Sequence, residues 1–367
     1  MEPTATLALC GDVMLGRGID QVLPRSVDPV LREEWIHDAR AYVRLAEAAS
    51  GRIERPIGPG AIWGDAAAEV EAFAPAAVVI NLETAVTTAS DFFPGKAIHY
   101  RMHPANVKAL QAFGVDVCAL ANNHVLDFGA AGLHETLEVL HAAGFATAGA
   151  GRDAHEAFAP AVLPLAGGGR LLVFAVGMPS SGVFPSWAAG PHRPGVAFLP
   201  GADDAAAEAF ATRVTQTRRP GDRVVVSIHQ GSNWGWEVEP AQVRFAHALV
   251  EAGADLIHGH SSHHPRPMEV HRGRLILYGC GDFLNDYEGI SGYEAFRGDL
   301  TLLYLPKLDG NGALVELVAT PLRIHRFRLQ RASAEEARWL LERLLSTSPA
   351  GPRLHLEGDG RIRGAPV

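Results

Sequence analysis

Residues 115–129 read VDVCALANNHVLDFG, a short apolar run that passes directly into a polar cluster. Val115–Leu120 has the length and composition of a buried strand, and the helical pattern of Ala105–Phe113 precedes it. The polar cluster contains two asparagines, His124 and Asp127. A helix, a buried strand and a polar turn in this order are typical of a βα unit, so the stretch predicts an α/β fold.

The same order of elements recurs in both directions from this stretch. Short apolar runs alternate with longer segments whose apolar residues have helical spacing, which predicts βαβ units and a parallel or mixed sheet buried on both faces. The predicted strands are Thr6–Cys10, Ala76–Ile80, Val115–Leu120, Phe145–Ala148, Leu171–Val176, Arg223–Ile228, Leu256–His258, Leu275–Tyr278 and Leu300–Leu305, and the predicted helices are Asp65–Phe73, Ala105–Phe113, Gly132–Ala143 and Ala241–Ala252.

Polar side chains with metal-ligand chemistry follow five of these strands. The five groups are Asp12, Glu83, Asn122–Asp127, His229 and His258–His264. Because ligands bind outside the carboxyl ends of strands in open α/β sheets, we expect these groups to converge. Carboxylates, imidazoles and an amide oxygen together suit Mn²⁺, Fe²⁺, Co²⁺ or Zn²⁺, in a site with three or four protein ligands and an open position. The sequence therefore predicts a divalent metal centre of one or two ions, with Mn²⁺ as the first choice.

The composition limits the classes of partner. The chain has 367 residues, and its net charge of −9 is spread without a basic stripe. Such a chain is a poor binder of nucleic acids and of anionic membranes. The three cysteines are far apart, so we expect buried thiols and no disulfide framework.

The apolar segments of the chain are short. No apolar run reaches eighteen residues, and the stretch before Gly11 is too short for a signal peptide, so the sequence predicts a cytoplasmic protein without membrane spans. Residues 1–330 are predicted to form one domain. Residues 331–367 are predicted to form a C-terminal helix, Arg331–Leu345, and a tail without periodicity.

Several ordered motifs resemble the CapA-like family, which is associated with the synthesis of poly-γ-glutamate capsules. They extend over about residues 6–305. The motifs are GDVML at 11–15, NLET at 81–84, ANNHVLDFG at 121–129, GAGR at 149–152, HQG at 229–231, GHSSH at 259–263 and YGCGDF at 278–283. The resemblance implies the fold of the calcineurin-like metallophosphoesterases, which has α/β/β/α layers with mixed sheets and a metal centre at the carboxyl ends of the strands.

The resemblance also implies roles for individual residues. His124 matches the acid/base histidine, oriented by Asp127, and its ordinary pKa near ~6.5 suits either role close to neutrality. Two departures weaken the expectation of a complete two-metal phosphoesterase centre. Met14 stands where phosphoesterases carry a histidine, and two serines instead of one residue separate the last two histidines. The implied metal ligands are Asp12, Glu83, Asn123, His229, His260 and His263.

Five further residues are candidates for substrate binding. Lys96, Tyr100 and Arg101 supply two cations and a phenol that suit a carboxylate or a phosphate, although a solvated loop face is the alternative. Trp234 follows His229 and either packs in the core or walls an apolar or peptide-binding pocket. Asp282 either meets the substrate or bonds the backbone of its own loop.

Three functions fit these residues. The first is epimerisation of a peptide residue, in which a base removes the Cα proton and a cation stabilises the enolate. Some CapA-like proteins are epimerases of lasso-peptide pathways, and a chain without an anchor is similar to that branch. The alternative is metal-dependent hydrolysis of phosphoester or γ-glutamyl amide bonds in poly-γ-glutamate or capsule metabolism. A non-catalytic role in polymer export is the third. The expected partner is a peptide substrate, and the oligomeric state stays open.

Overall fold

The computed structural model describes residues 4–366 of the chain. Residues 1–3 and 367, at the outer ends of the predicted segments 1–330 and 331–367, lie outside the described residues. The strands in the described range are β1 (Ala5–Val13), β2 (Ala77–Leu82), β3 (Ala85–Val86), β4 (Arg101–Met102), β5 (Val117–Ala119), β6 (Ala146–Ala148), β7 (Ala150–Gly151), β8 (Ala161–Pro164), β9 (Arg170–Gly177), β10 (Gly195–Val196), β11 (Arg223–His229), β12 (Leu256–His260), β13 (Met268–His271), β14 (Arg274–Leu277), β15 (Asp282–Leu284), β16 (Leu300–Leu308), β17 (Leu314–His325), β18 (Arg328–Arg331), β19 (Arg353–Leu356) and β20 (Ile362–Ala365).

The helices lie between these strands and cover the segments that have helical spacing in the sequence. Within residues 4–366, no helix combines the length and the apolar composition that a membrane crossing requires. The α-helices are α1 (Arg17–Asp20), α2 (Arg40–Ser50), α3 (Gly64–Phe73), α4 (Lys108–Phe113), α5 (Gly129–Ala142), α6 (Ala154–Phe158), α7 (Asp204–Thr217), α8 (Pro240–Glu251) and α9 (Ala334–Thr347), and short 3₁₀ turns cover Ala61–Trp63, Pro104–Val107, Pro179–Ser181, Pro185–Trp187 and Glu294–Phe296.

Two mixed sheets organise the chain, which confirms the predicted α/β class. The first has the order β19-β20-β17-β16-β1-β2-β5-β6, with β15 also paired to β1 and β18 to β17. The second has the order β13-β14-β12-β11-β9-β8. Parallel pairing joins β1, β2, β5 and β6 in the first sheet and β9, β11, β12 and β14 in the second.

Alternating side chains along the strands feed separate buried clusters, as the two-residue period of a strand requires. Leu7 and Leu9 of β1 belong to a cluster that also holds Val225 of β11, so this cluster joins the two sheets. The intervening Ala8 and Cys10 join a second cluster with α3, α4 and α5. The neighbours of Val225 in β11 belong to a third cluster with α7 and α8. The apolar runs are therefore buried on both faces, as predicted.

The C-terminal segment begins with the predicted helix and continues as regular structure. Helix α9 starts at a capping box, in which Ser333 Oγ accepts from the Glu336 amide and Glu336 Oε2 accepts from the Ser333 amide. The tail beyond it, which has no apolar period, forms the hairpin β19–β20 at the edge of the first sheet. Arg361 donates to both carboxylate oxygens of Glu69 on α3, at 2.8 and 3.0 Å, and so anchors the hairpin.

Candidate metal centre and active site

Asp12 stands at the end of β1, in register with Asn81 of β2 and Asp282 of β15. A register irregularity between Cys10 and Asp12 changes the direction of the strand at this point. A Cβ atom on Gly11 would lie 1.7 Å from the carbonyl oxygen of Gly281, so only glycine permits this approach of the two strands. The Asp12 amide donates to the same oxygen at 2.9 Å. The backbone thus brings Asp12 and Asp282 side by side.

Glu83 follows β2 and shares a carboxamide donor with Asp12. Asn81 Nδ2 donates to Asp12 Oδ1 at 2.7 Å and to Glu83 Oε2 at 3.0 Å. Burial and the charge of Asp282 raise the pKa of Asp12 to about 7. Burial and the charge of Asp12 raise the pKa of Glu83 well above its ordinary value. The carboxylates therefore form a buried acidic group, and a nearby cation would stabilise its ionised form.

Two histidines face this acidic group from the second sheet. His229 and His260 are in register on the adjacent parallel strands β11 and β12. Their Nδ1 atoms are 2.7 Å apart, and His260 Nε2 lies 2.7 Å from Ser227 Oγ. Burial lowers the pKa of both imidazoles well below the ordinary value. They are therefore neutral at pH 7, which is the form of histidine that binds metals.

These residues meet in one place and fit a divalent cation. Asp12, His229 and His260 each offer a ligand atom within 4.8 Å of the other two, and all three are buried. Asn123 Oδ1 and Glu83 Oε1 border the group, at 3.2 and 3.8 Å from His229 Nε2. Two imidazole nitrogens with carboxylate and amide oxygens form the donor set expected for Mn²⁺, Fe²⁺, Co²⁺ or Zn²⁺.

A second group shares Asp12 with the first. Asp12, His263 and Asp282 also offer ligand atoms within 4.8 Å of one another. His263 Nδ1 lies 2.9 Å from Asp282 Oδ1, and although burial opposes it, the charge of Asp282 raises the pKa of His263. This ion pair occupies His263 Nδ1 and leaves Nε2 as the nitrogen for a metal. The raised pKa of His263 favours the imidazolium, which does not bind metals, so the first group, with its two neutral imidazoles, is the better metal site of the two.

The loop between His260 and His263 is strained. Ser261 has φ = 103°, which is rare for a residue with a side chain, and its amide donates to Asp12 Oδ2 at 3.1 Å. Asp282, predicted to face substrate or its loop backbone, accepts from Asn285 Nδ2 and contacts His263 Nδ1, and its role towards a substrate stays a prediction. With two serines between the histidines, the loop thus places the Ser261 amide against the carboxylate of Asp12, which both groups share.

His124 and Asp127 lie beside the first group, in contact as the resemblance implies. His124 Nδ1 is 2.7 Å from Asp127 Oδ2, which fixes the Nδ1–H tautomer and leaves Nε2 as the free base, 3.8 Å from Glu83 Oε1. Burial and the charge of Lys96 lower the pKa of His124 to about 4. The imidazole is therefore a base at neutral pH, and the expected pKa near ~6.5 is not what this environment produces.

Lys96 is part of the same unit. Its Nζ donates to Asp127 Oδ1 at 2.5 Å and to the carbonyl oxygen of Ile98 at 2.8 Å, and it lies 2.9 Å from His124 Nδ1. Burial lowers its pKa even though the charge of Asp127 opposes the effect. Lys96 thus balances the charge of Asp127, which the sequence did not indicate.

A cavity of about 320 Å³ opens over these groups. The ring edge of Tyr100 contacts His124, with 4.5 Å between the ring centroids, and the Tyr100 hydroxyl donates to that of Tyr287 at 3.2 Å. Sequence reasoning missed Tyr287, since its loop carries no local pattern. The polar and aromatic residues that line the cavity are Glu83, Lys96, Tyr100, Asn123, His124, Phe184, His229, Asn233, Ser261, His263 and Tyr287.

The last two substrate-binding candidates lie in different places. Trp234 packs beside His263, with ring centroids 5.2 Å apart, and stacks on Tyr293 in a neighbouring cavity of about 360 Å³. Arg101 is buried away from both cavities, where its guanidinium donates to the carbonyl oxygens of Ala89 and Asp28. Trp234 therefore adjoins the candidate centre, whereas Arg101 stabilises a loop.

Asn81 is a further residue that the sequence reasoning missed. It bridges Asp12 and Glu83, and Asn122 donates to its Oδ1 at 3.0 Å. A signal for it does exist in the sequence. Asn81 precedes Glu83 by two residues, so strand alternation directs both side chains to the same face.

Known proteins are similar to this chain over two thirds or more of its residues. A relative in Mycobacterium tuberculosis, named "Probable polyglutamine synthesis accessory protein", is 50% identical over 338 residues, which cover 91% of this chain and 89% of the relative. The "PGA biosynthesis protein CapA" of Bacillus subtilis is 30% identical over 246 residues, 67% of this chain and 60% of the relative. The "Capsule biosynthesis protein CapA" of Bacillus anthracis is 26% identical over 328 residues, 87% of this chain and 67% of the relative.

The family match agrees with these relatives and spans the strands that carry the candidate centre. Residues 6–287 match the family described as "Bacterial capsule synthesis protein PGA_cap". The matched range includes Asp12, Glu83, His124, His260 and Asp282. The resemblance to CapA-like proteins is thereby confirmed, and the chain belongs to the PGA_cap family of bacterial capsule synthesis proteins.

Proposed function

We propose that this protein is a metal-dependent hydrolase that cleaves γ-glutamyl amide bonds in the metabolism of poly-γ-glutamate. The observation that carries the proposal is the convergence of Asp12, His229 and His260 beside the His124–Asp127 pair, under one cavity. The names of the relatives, which refer to polyglutamine, PGA and capsule synthesis, support this polymer as the substrate class.

The metal is part of the proposal. Asp12, His229 and His260 would hold a divalent ion, Mn²⁺ first, with Glu83 and Asn123 at its border and His263 as a ligand of a weaker second position. When bound, the ion polarises the amide carbonyl as a Lewis acid. Neutral imidazoles and a buried acidic group support this assignment, because the cation offsets the charge that burial makes unfavourable.

His124 supplies the acid/base chemistry. Its free Nε2 takes a proton from the water that attacks the carbonyl carbon, and the resulting imidazolium is stabilised by Asp127. The imidazolium then gives this proton to the leaving nitrogen as the C–N bond breaks. Lys96 keeps Asp127 ionised and in position, and Tyr100 restricts the ring of His124 from the side.

Several finer predictions accompany the proposal. The two sheets and their outer helices support a calcineurin-like arrangement in α/β/β/α layers over residues 1–330, with residues 331–367 appended. A peptide-like polymer is the proposed partner, and the cytoplasmic location stays a prediction. Peptide epimerisation, the first hypothesis from the sequence, receives no support from the names of the relatives, which refer to polymer and capsule synthesis and so agree with the substrate class proposed for the hydrolase.

The experiment compares three reactions of the same protein. The protein is stripped with a chelator, reloaded with Mn²⁺ and incubated in D₂O with poly-γ-glutamate, a γ-glutamyl dipeptide, a phosphodiester or a linear peptide. Shorter chains with new amino groups are the expected products, and stripped protein should be inactive. Phosphodiester cleavage alone would favour a phosphoesterase, and deuterium at Cα without fragments would favour the epimerase.

The variant His124→Ala and a matched control complete the design. His192→Ala changes an exposed histidine on a loop and should keep full activity. No turnover of any substrate by the loaded wild-type protein would contradict the proposal and favour a non-catalytic accessory role.

A further inference from the structure

A second group of metal-ligand side chains lies at the edge of the second sheet, apart from the candidate centre. His247 of α8 and Glu269 and His271 of β13 each offer a ligand atom within 4.8 Å of the other two. All three are half-buried, with side chains 29%, 16% and 20% exposed. A dissolved ion can therefore reach them directly from the surface.

The fold arranges these residues in advance. Glu269 and His271 are two residues apart on a strand and so share a face, and α8 packs its apolar side against the same sheet. The imidazoles of His247 and His271 are stacked, with centroids 3.8 Å apart and planes at 5°.

The carboxylate is oriented from both sides. Glu269 Oε1 lies 2.6 Å from His247 Nε2, and Glu269 Oε2 accepts from the Tyr278 hydroxyl at 2.7 Å. A hydrogen bond from a second residue to a ligand carboxylate is a usual feature of metal sites. Glu251 lies 3.3 Å from His271 Nε2, but Arg272 already pairs with it at 3.0 Å. The ligand set is therefore His247, Glu269 and His271.

We infer that this group, hereafter the edge site, binds a divalent transition metal ion, with Zn²⁺ as the foremost candidate. Two imidazoles and one carboxylate are a recognised zinc ligand set that leaves a fourth position for water. Ligand atoms of a tetrahedral zinc ion are about 3.4 Å apart, a spacing that half-exposed side chains reach by small rotations.

The edge site has a structural consequence for the candidate centre. Helix α8 begins after the loop that follows His229, and β13 begins after the loop that follows His260 and carries His263. An ion at the edge site joins these two elements. Binding therefore should raise the melting temperature of the protein by mass action.

The test measures zinc stoichiometry by equilibrium dialysis of the full chain. The double variant His247→Ala/His271→Ala is compared with wild type and with His192→Ala/His355→Ala, which changes two exposed histidines elsewhere. Wild type and control should bind one Zn²⁺ per chain more than the double variant. The buried centre is common to all three proteins, so its own occupancy cancels in the comparison.

Two further measurements keep the test decisive. Glu269→Gln, which keeps the shape of the side chain, should weaken the zinc affinity of the edge site at least tenfold. This variant tests the inference even if the double variant does not fold. Cu²⁺ substituted for Zn²⁺ should give wild type a second set of nitrogen couplings by electron paramagnetic resonance, besides that of the buried centre, and the double variant should lose this second set. Equal stoichiometry in all the proteins, or an unchanged affinity in Glu269→Gln, would overturn the inference.

Discussion

The substitution Asp127→Asn tests the buried unit that we propose positions His124. The carboxylate of Asp127 is fully buried and accepts from three donors: Lys96 Nζ at 2.5 Å, His124 Nδ1 at 2.7 Å and the Tyr100 amide at 2.6 Å. Asparagine has one acceptor oxygen, so its amide nitrogen would face one of these donors. It also leaves the ammonium of Lys96, whose side chain is only 9% exposed, without its partner.

The expected loss of stability follows from the charge left behind. Removing one partner of a buried ion pair costs about 3–5 kcal/mol. Lys96 limits this cost because it can instead release its proton, which from an ordinary pKa near ~10.4 costs about 4–5 kcal/mol at pH 7. It also keeps the carbonyl oxygen of Ile98 as an acceptor. Deprotonation therefore sets an upper limit close to the top of this range, and we expect Asp127→Asn to lower the free energy of unfolding by about 3–5 kcal/mol.

The assay is urea-induced unfolding at pH 7 with a chelator present, so that bound metal does not contribute. The double variant Lys96→Met/Asp127→Asn should lose less than the sum of the single variants, because it buries no unpaired charge. Asp38→Asn, which breaks the exposed pair with Arg40, serves as the control and should change stability little. A loss below about 1 kcal/mol for Asp127→Asn, or additive single losses, would refute the reasoning.

Three other predictions concern the base, the strand approach and the pH dependence. His124→Ala should keep metal binding and lower turnover by about 10²–10⁴-fold, measured with the loaded enzyme; loss of the metal in a folded variant would instead make His124 a ligand. Gly11→Ala must separate β1 from the Gly281 carbonyl and should cost about 1–3 kcal/mol or more in unfolding experiments, whereas Gly58→Ala, with open space around its Cβ, should be close to neutral. Burial raises the pKa of Asp20 from 3.8 to about 6, so the folded protein binds this proton more tightly than the unfolded chain does. Between pH 4 and 6 the wild type should therefore lose up to about 3 kcal/mol relative to Asp20→Asn as pH rises, and a gain would contradict this assignment.

Local patterns predicted the elements that carry the candidate centre. The apolar runs before Asp12, Glu83, Asn122 and His229 are strands, because their side chains are apolar on both faces and the sheets are covered on both faces. The helices at 65–73, 132–143 and 241–252 follow from their spacing. The hairpin β19–β20 has no such pattern and could not be predicted. Its stability comes from contacts far away in the sequence, namely the pairing of β20 with β17 and the ion pair of Arg361 with Glu69.

The sequence by itself determined that ligand-type side chains stand at the ends of buried strands, because the switch from apolar to polar residues is a local property of the chain. Tertiary structure alone decided which of them meet. The register of β1 with β15 puts Asp12 beside Asp282, and the pairing of β11 with β12 puts His229 beside His260. Tertiary structure also decided the protonation of the site, since burial and the charge of Lys96 lower the pKa of His124. It also decided that Lys96 forms an ion pair with Asp127. Such long-range distances and desolvation do not appear in any single stretch of sequence.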